Sequence, residues 1–241
     1  MLATLARSGV AVATSDRALG NLSFTACQDE PSVVLARRGA FARWLGFADG
    51  DVVCAEQVHG DRVARVGDGE RGAVVPGVDG LITDRPGVLL LLLFADCVPV
   101  CLLDPETPAV GIAHAGWKGT AGRIAARTVA AMAEAFGARP ERLRAAIGPS
   151  IGGCCYEVGP EVAEAVRASA DDARVVSPGG RGRPHVDLAA ANRAQLLAAG
   201  LRPEHVEMAG LCTACRVDRF FSHRAENGRT GRFGAAVGIR P

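Results

Sequence analysis

A cysteine and a histidine, two residue types suited to metal binding or nucleophilic chemistry, stand where apolar segments of this chain end. The apolar run 88–95 (VLLLLLFA) stops at Asp96 and Cys97, and a second apolar segment stops at His114. Unbroken apolar runs are typical of strands buried on both faces, and side chains just past such strands emerge into a cleft. We therefore expect Cys97 and His114 to lie close together. The alternative is a buried small thiol and a hydrogen-bonded core histidine.

His59 is a third residue of this kind. The segment 51–58 (DVVCAEQV) predicts a strand that ends at His59 and Gly60. Thiolate and imidazole are preferred zinc ligands, and a site with three protein ligands keeps one position open, as catalytic zinc sites do. The intervals of 38 and 17 residues between the three match no compact zinc finger. A Cys-His nucleophile pair would use the same residues, because it also needs a thiolate near an imidazole.

Two groups of cationic side chains are candidates for binding an anion. The segment AGWKGT leads into a helix predicted from about Ala121, which places Lys118 and unpaired backbone N–H groups at a helix N-terminus. Near the C-terminus, Arg224 and Arg232 precede the last predicted strand and could hold phosphate by charge-assisted hydrogen bonds. The alternative for the Lys118 segment is a simple glycine-containing strand-to-helix turn, and the alternative for the two arginines is a solvated surface.

Four of the eight cysteines form two pairs in the sequence. Cys212 and Cys215 form a CxxC motif, which suits half of a structural zinc site or a redox pair, but no second CxxC completes four ligands. Cys154 and Cys155 are adjacent, and adjacent side chains in a strand or loop are expected to point in different directions. We therefore expect a buried, structural role for the CxxC motif. Eight cysteines in so large and hydrophobic a chain indicate a reducing compartment rather than a disulfide scaffold.

The elements that must position these residues are short strands interspersed with amphipathic helices. Helices are predicted from the hydrophobic periodicity and the glycine stops at about 32–45, 121–136, from 160 onward and 188–199. An Asp-Gly turn at Asp79 and Gly80 is predicted to lead into the buried strand, and the loop GPSIGGCCYEVG should be irregular. The remaining strands are predicted at 10–13, 22–25, 62–66, 143–147, 206–208 and 235–239.

Length and composition limit the classes of function. The 241 residues suffice for one large core without a linker. Lys and Arg number 27 against 26 Asp and Glu, and such a balance argues against nucleic-acid or membrane-surface binding. The run 88–95 is far shorter than the roughly 20 residues of a membrane helix. The N-terminal apolar stretch is broken by Arg7 and is a poor secretory signal, so we expect a cytoplasmic protein.

Several stretches together resemble one known family, the YfiH family, also called the polyphenol oxidase or laccase-domain family. The resemblance runs from about Val53 to the C-terminus and rests on QVHGDRV, VDGLITDRPGV, FADCVPVCLLD, VGIAHAGWKGTAGRI, AIGPSIGGCCYEVG and FFSHRAENGRTGRFGAAVGI. Residues 1–50 diverge: the family usually shows Thr-Arg, Gly-Gly and Ser-Leu-Asn where this chain reads ATSDRALGNLSF. The chain also has Ala36 and Arg37 where the family commonly has Asn-Arg.

The resemblance implies a zinc ion held by the histidine of QVHG, the cysteine of ADC and the histidine of AHAGW, here His59, Cys97 and His114. It implies an α+β fold over residues 1–241, a single domain of mixed β-sheets flanked by helices, similar to a Cys-His toxin deamidase. Family members are described as purine nucleoside phosphorylases acting on adenosine, inosine and methylthioadenosine with phosphate, and as adenosine deaminases. Some relatives are linked to editing of peptidoglycan precursors.

The first hypothesis is therefore a zinc enzyme whose substrates are a purine nucleoside and phosphate, with no nucleic-acid or membrane partner. Asp96 is its candidate proton shuttle, and Lys118, Arg224 and Arg232 are its candidate phosphate ligands. A second hypothesis makes Cys97 a nucleophile and His114 its base, in an amidase or deamidase acting on cell-wall precursors. A copper-dependent polyphenol oxidase is less favoured, because five histidines are too few for several coppers. A non-enzymatic nucleotide sensor or scaffold is the last alternative, and the oligomeric state stays open.

Overall fold

Two β-sheets form the centre of the fold. The computed structural model describes residues 9–170, 172–179 and 182–241. A five-stranded sheet contains β1 (Val10–Thr14), β2 (Val52–Ala55), β4 (Val74–Val75), β6 (Val88–Phe94) and β13 (Phe233–Ile239). A six-stranded sheet contains β3 (Val63–Arg65), β5 (Gly80–Thr83), β7 (Val98–Asp104), β8 (Ala109–Ala115), β9 (Arg144–Ile147) and β12 (Val206–Met208). The strand orders are β1-β13-β6-β2-β4 and β12-β9-β7-β8-β5-β3, and β10 (Val176–Ser177) pairs separately with β11 (His185–Val186).

Helices cover the outer faces of both sheets. The helix α1 (Pro31–Leu45) packs on the five-stranded sheet, and α3 (Ile124–Phe136), α4 (Pro160–Ser169) and α5 (Leu188–Ala198) contribute side chains to the core on the six-stranded sheet. A short helix, α2 (Trp117–Ala121), follows β8 directly. Both sheets are mixed, since β6 pairs antiparallel with β13 and parallel with β2, whereas β9 pairs antiparallel with β7 and parallel with β12. The expected α+β architecture of mixed sheets flanked by helices is confirmed.

The apolar run of β6 is explained by burial on both sides. Val88, Leu90, Leu92 and Phe94 pack between the two sheets, whereas the intervening Leu89 and Leu91 face the layer formed with α1. Because a fully buried leucine contributes about 1.5–3 kcal/mol, both faces hold the strand firmly in place. The point at which the chain leaves the sheet is thereby fixed too.

Helix ends follow the predicted stop signals. Gly46 and Gly137 end α1 and α3 with φ angles of 91° and 69°, the left-handed region that glycine adopts without steric cost. At the start of α5, the side chain of Asp187 accepts a hydrogen bond from the backbone N–H of Ala190 at 2.9 Å. This contact satisfies one of the unpaired donors of the first turn. Helix α1 and the C-terminal end of α3 therefore lie where periodicity and glycine stops predicted them. The helix predicted from about Ala121 to 136 is instead divided into α2 (Trp117–Ala121) and α3 (Ile124–Phe136).

Two predicted strands are wrong or too long. The segment 22–25 forms no strand, because the side chain of Asn21 accepts a hydrogen bond from the backbone N–H of Ser23 and donates one to its carbonyl. Such local bonds replace those of a strand ladder. The strand predicted for 51–58 is only Val52–Ala55, and the chain leaves the sheet before it reaches His59.

The predicted Asp-Gly turn at 79–80 is also wrong, because Gly80 begins the strand β5. A Cβ atom at this position would lie 2.9 Å from Cγ2 of Val63 on the neighbouring strand, so Gly80 serves close strand packing. The connection from β5 to β6 lies further along and includes Gly87, whose φ angle is 75°. Among the described residues, no helix is long and apolar enough to span a membrane.

Candidate functional site

Cys97 and His114 are brought together by the antiparallel pairing of β7 with β8. Pro99 lies opposite His114 and Val98 opposite Ala115, so Cys97, which immediately precedes β7, is next to the end of β8. The residue before it, Asp96, has a φ angle of 86° and forms the tight connection from β6 to β7. Both candidate residues therefore sit at one end of the six-stranded sheet, as the apolar runs predicted.

His59 reaches the same place from a loop, which corrects its predicted position at the end of a strand. After β2, the side chain of Gln57 donates to the carbonyl of Leu93 at 2.9 Å and accepts from its N–H at 2.8 Å. Gln57 thus occupies the edge of β6 in place of a further strand residue. The backbone then turns at His59, whose φ angle is 60°. This left-handed conformation is uncommon for residues other than glycine, and the surrounding hydrogen bonds hold it.

Asp79, a fully buried carboxylate, supplies those hydrogen bonds. Its oxygens accept from the backbone N–H groups of Val58, His59 and Gly60 at 3.1, 3.0 and 2.7 Å. Its Oδ1 atom also lies 2.7 Å from Nδ1 of His114. An ionised carboxylate only accepts, so Nδ1 of His114 carries a proton, and its Nε2 atom is the one that can exchange a proton or, once deprotonated, bind a metal.

The three predicted residues form a compact cluster. The ligand atoms of His59, Cys97 and His114 all lie within 4.8 Å of one another, and the two imidazole rings meet edge to face with centroids 4.9 Å apart. Gly116 makes room for this approach, because a Cβ atom there would lie 3.0 Å from Sγ of Cys97. Any side chain at Gly116 would therefore press on the cluster.

The electrostatics of the cluster favour a thiolate beside a charged imidazole. Burial opposes ionisation of Cys97, but the charge and hydrogen bonds of His114 and the hydrogen bond of His59 outweigh it and lower the pKa of the thiol to about 6. Burial likewise opposes the charge on His114, but Cys97 and Asp79 together raise its pKa to about 9. For Asp79 the cost of burial is exceeded by hydrogen bonds from His114 and the loop, so its pKa is lowered.

This donor set fits a metal ion. One thiolate and two imidazoles are the ligands that zinc and copper prefer, and a carboxylate that holds the remote nitrogen of a ligating histidine is the usual support of such sites. The same geometry also matches a Cys-His-Asp arrangement for nucleophilic catalysis, in which Asp79 would orient His114. Geometry alone therefore admits both kinds of chemistry.

The cluster lines a cleft of about 730 Å³, a volume typical of small-molecule sites. Aromatic side chains line it as well, namely Phe24, Trp117 and Tyr156. Burial is the main reason why the pKa of Tyr156 rises to about 12, and the negative charges of Cys97 and Asp96 add to it. The phenol therefore stays protonated at neutral pH and can donate a hydrogen bond into the cleft.

Of the three predicted phosphate ligands, two line the cleft. The guanidinium of Arg224 lies 5.0 Å from the ring centroid of Tyr156 and donates to the carbonyl of Glu157 at 2.6 Å. Arg232 donates to the carbonyls of Thr230 and Gly231 at 3.0 and 2.9 Å. These carbonyl contacts fix the directions of both side chains.

Lys118 lies outside the cleft lining. It is exposed, in the first turn of α2, and its Nζ atom lies 5.7 Å from the ring centroid of its neighbour Trp117. The helix begins at Trp117 rather than near Ala121, and it is only five residues long. A phosphate contact by Lys118 stays a prediction.

Asp96 is a buried member of the cleft lining. Its Oδ1 atom accepts from the hydroxyl of Thr213 at 2.7 Å, and its Oδ2 atom accepts from the backbone N–H of Arg224 at 2.6 Å. The carboxylate therefore joins the turn before β7 to two distant C-terminal segments. Each oxygen keeps a second lone pair, so a role in proton transfer is compatible with these contacts.

Two residues of the site were missed at the level of sequence. The sequence predicts Asp79 in a turn, although a carboxylate inside an apolar segment is itself a signal, because its burial demands a partner. Gln57 carried no signal of its own, since only the tertiary structure shows that its amide pairs with the edge of β6.

Sequence comparison shows what the chain is similar to. A family model described as "Multi-copper polyphenol oxidoreductase laccase" matches residues 2–240. The protein named "Purine nucleoside phosphorylase YlmD" of Geobacillus stearothermophilus is 43% identical over 224 residues, covering 88% of this chain and 81% of the relative. A protein named "Adenosine deaminase RL5", from an unknown prokaryotic organism, is 39% identical over 214 residues, covering 85% of this chain and 81% of the relative.

Solved structures agree with the sequence comparison. The crystal structure of YlmD from Geobacillus stearothermophilus matches with a TM-score of 0.94 and 38% identity, covering 99% of this chain and 94% of that one. The crystal structure of the Bacillus licheniformis hypothetical protein YfiH matches with a TM-score of 0.91 and 36% identity, covering 96% and 93%. The chain therefore belongs to the laccase-like YfiH family.

Proposed function

We propose that this protein is a zinc-dependent purine nucleoside phosphorylase with adenosine deaminase activity. The observation that carries the proposal is the cluster of His59, Cys97 and His114, supported by Asp79 and lining a cleft of small-molecule size. The names of the relatives give the reaction class, because they include purine nucleoside phosphorylases and an adenosine deaminase. The substrates would be a purine nucleoside and phosphate.

His59, Cys97 and His114 would hold the zinc ion. A bound zinc supplies Lewis acidity, polarising an oxygen and lowering the pKa of a coordinated water to about 7. Asp79 keeps His114 in one tautomer and fixes the loop that carries His59, so it is a positioning residue. The lowered pKa of Cys97 makes the thiolate available for binding at neutral pH.

The cleft offers suitable partners for both halves of a nucleoside substrate. Phe24, Trp117 and Tyr156 can stack on or pack against a purine ring, since offset and edge contacts of aromatic rings are favourable. Arg224 and Arg232 provide cationic donors for phosphate, because guanidinium groups bind phosphate through bidentate hydrogen bonds. Lys118 is a further, more distant candidate for the same anion.

The two proposed reactions make different demands on this site. In phosphorolysis, a phosphate oxygen bonds to C1′ of the ribose while the C1′–N9 bond breaks, and its electron pair leaves with the purine, which takes up a proton. Fixed hydrogen-bond donors that hold phosphate beside C1′ provide the positioning and the charge stabilisation that this step requires. In deamination, a water oxygen bonds to C6 of adenosine, the C6–N bond breaks, and a proton moves from the water to the departing ammonia. Asp96 is the proposed carrier of that proton.

Phosphate-dependent release of hypoxanthine from inosine tests the proposal. The wild-type protein with its metal should show turnover that requires phosphate, and His59→Ala should abolish it. His205→Ala is the matched control, because His205 lies in a short turn before β12 and does not line the cleft. Full activity in a metal-free sample, or in His59→Ala, would contradict the proposal.

A Cys-His amidase or deamidase is the second candidate, and the contact of Asp79 with Nδ1 of His114 favours it. In this alternative Cys97 is the nucleophile, and peptidoglycan precursors are the candidate substrates. The metal distinguishes the two ideas: iodoacetamide should modify Cys97 rapidly in zinc-free protein and slowly in zinc-loaded protein. Amide hydrolysis that survives metal removal, without nucleoside turnover, would favour the amidase.

Copper and cellular location complete the proposal. A thiolate with two imidazoles also suits a single copper ion, but the five histidines of the chain do not suffice for several coppers, so we favour zinc over a polyphenol oxidase. Metal analysis of the purified protein distinguishes the two ions. No disulfide joins any of the eight cysteines, all of which lie in the described part of the chain, and this supports the proposed location in the reducing cytoplasm.

A further inference from the structure

Four cysteines meet at a second place in the molecule. The Sγ atoms of Cys154, Cys155, Cys212 and Cys215 all lie within 4.8 Å of one another. Sγ of Cys215 lies 3.7 Å from that of Cys154 and 3.4 Å from that of Cys155, although Cys155 and Cys215 are 60 residues apart in the chain. Cys215 is exposed and Cys212 is only partly buried, so the expected burial of the CxxC motif is wrong, whereas its structural role stays a prediction.

The loop conformation explains why adjacent cysteines reach one point. The backbone N–H groups of Cys155 and Tyr156 both donate to the carbonyl of Gly152, at 2.9 and 3.0 Å, which curls the segment into a tight turn. Alternation of side chains applies to extended backbone and does not hold in such a turn. Cys154 and Cys155 consequently both face the CxxC motif.

Backbone contacts hold the two cysteine-bearing turns in this position. Ser150 forms an isolated bridge with Cys212, its N–H donates to the carbonyl of Leu211 at 3.2 Å, and its carbonyl accepts from Thr213 at 3.0 Å. Gly152 permits the close approach, because a Cβ atom there would lie 3.3 Å from both Sγ of Cys154 and Cβ of Cys212. The arrangement is therefore built by the backbone rather than by chance orientation of side chains.

Contacts among the four thiols contribute little stability unless a cation binds between them. Thiols are weak hydrogen-bond donors and acceptors, so sulfur contacts by themselves stabilise the turns only slightly. One sulfur already has a partner suited to a thiolate, since the backbone N–H of Gly152 points at Sγ of Cys212 at 3.2 Å. Amide donors directed at sulfur favour the charged form that binds a metal.

We propose that Cys154, Cys155, Cys212 and Cys215 bind one structural zinc ion. With zinc–sulfur bonds of about 2.3 Å, a regular tetrahedron places its sulfur atoms about 3.8 Å apart. The contacts of 3.4 and 3.7 Å are close to this value, and sulfur positions within 4.8 Å need only small rotamer adjustments. Four thiolates fill the coordination sphere, so the ion has no open position and is structural.

The ion would tie together two parts of the cleft wall. Ile151 and Tyr156, on either side of the first turn, line the cleft. Thr213, between the cysteines of the second turn, donates to Asp96, and the N–H of Ile151 donates to the carbonyl of Asp96. The zinc would thus restrict relative movement of these loops without touching substrate.

Zinc content per chain tests the proposal independently of any enzymatic activity. The 241-residue protein, purified under reducing conditions, should contain about two zinc ions per chain, one of which rests on the proposed function, and the double variant Cys154→Ser with Cys215→Ser about one. Cys27→Ser is the matched control, because Cys27 is a partly exposed cysteine outside both clusters, and should keep the wild-type content. A double variant with the wild-type zinc content would overturn the proposal.

Cobalt substitution tests the same site with all four cysteines in place. In the His59→Ala protein, one bound Co²⁺ should give the intense visible bands of a tetrahedral four-thiolate site, and zinc should displace it. Absence of this spectrum would overturn the proposal. A disulfide within the cluster in protein purified with reductant, or iron in place of zinc, would overturn it as well, whatever the outcome of the nucleoside assay.

Discussion

The two cysteine-containing clusters of this protein differ in the elements that carry them and in their exposure to solvent. Cys97 and His114 stand at the ends of buried strands, and His59 reaches them from a loop. A fully buried carboxylate, Asp79, holds His114 and the His59 loop, and all three residues line a cleft. The four cysteines stand on two surface turns, held by backbone contacts, and two of them are exposed. One cluster offers three potential ligand groups of two types, and the other offers four of one type.

The number of ligands and the groups that hold them distinguish a catalytic metal site from a structural one. Three ligands leave a coordination position open, and the carboxylate behind them holds the geometry while substrate comes and goes. Four thiolates close the coordination sphere, so an ion between the two turns can only join them. Activity should therefore depend steeply on the first cluster and weakly on the second.

The largest effect on turnover is expected for Cys97→Ser. Loss of a carboxylate behind a metal-bound histidine commonly costs about 10 to 100-fold, so loss of a ligand should cost more than about 100-fold. Phosphate-dependent release of hypoxanthine from inosine measures the effect, together with zinc content. Cys27→Ser should match the wild type. Retention of more than a tenth of wild-type activity by Cys97→Ser would remove the distinction between the clusters.

A smaller loss is expected for Asp79→Asn. The amide has nearly the same shape, but its nitrogen cannot accept the backbone N–H bonds now made by the carboxylate, and it loses the negative charge beside His114. Zinc affinity and turnover should each fall by about 10 to 100-fold. Competition with a chelator gives the affinity. Asp104→Asn is the matched control, because Asp104 is another buried carboxylate, at the end of β7 and outside the cleft lining.

The strands that carry the first cluster were predictable, whereas its support was not. The apolar run of β6 and the polar residues after it predict both the strand and the position of Cys97 beyond its end. A strand that is buried on both faces is visible in the sequence itself, as an unbroken apolar run. The sequence predicts His59 at a strand end, because nothing local reveals that Gln57 pairs with β6 or that Asp79 holds the loop. Contacts between residues distant in sequence decide these positions.

The second cluster shows the same limit more sharply. Alternation predicted that Cys154 and Cys155 diverge, and the absence of a second CxxC argued against four ligands. Both inferences assumed local geometry, whereas the turn at Gly152 and the bridge from Ser150 to Cys212 depend on packing of two loops. The sequence alone therefore does not reveal whether adjacent cysteines in a glycine-rich loop meet other cysteines; the packing of the loops decides this.

An intermediate effect is expected for Gly116→Ala, which leaves every ligand in place. The added methyl would lie 3.0 Å from Sγ of Cys97 and 3.4 Å from Cδ2 of His59, so the cluster must shift by a few tenths of an ångström. Overpacking of this kind costs about 1–3 kcal/mol, which should appear as weaker zinc binding and roughly tenfold lower turnover. Gly69→Ala is the control, because a Cβ there meets nothing within 4 Å. Equal zinc affinities for the two variants would show that the cluster tolerates displacement.

The smallest effect on turnover is expected for Cys212→Ser, which removes one of the four thiolates. If zinc joins the two turns, its loss should lower the thermal midpoint by several degrees, because about 1 kcal/mol corresponds to roughly 2–4 °C in a chain of this size. Turnover at a temperature well below the midpoint should fall less than about tenfold, since no ligand of the first cluster changes. Any loss should appear mainly in KM, because Tyr156 and Asp96 lie next to the loosened turns. A large fall in kcat with an unchanged thermal midpoint would mean that the four cysteines take part in the chemistry, and the contrast between the two clusters would be wrong.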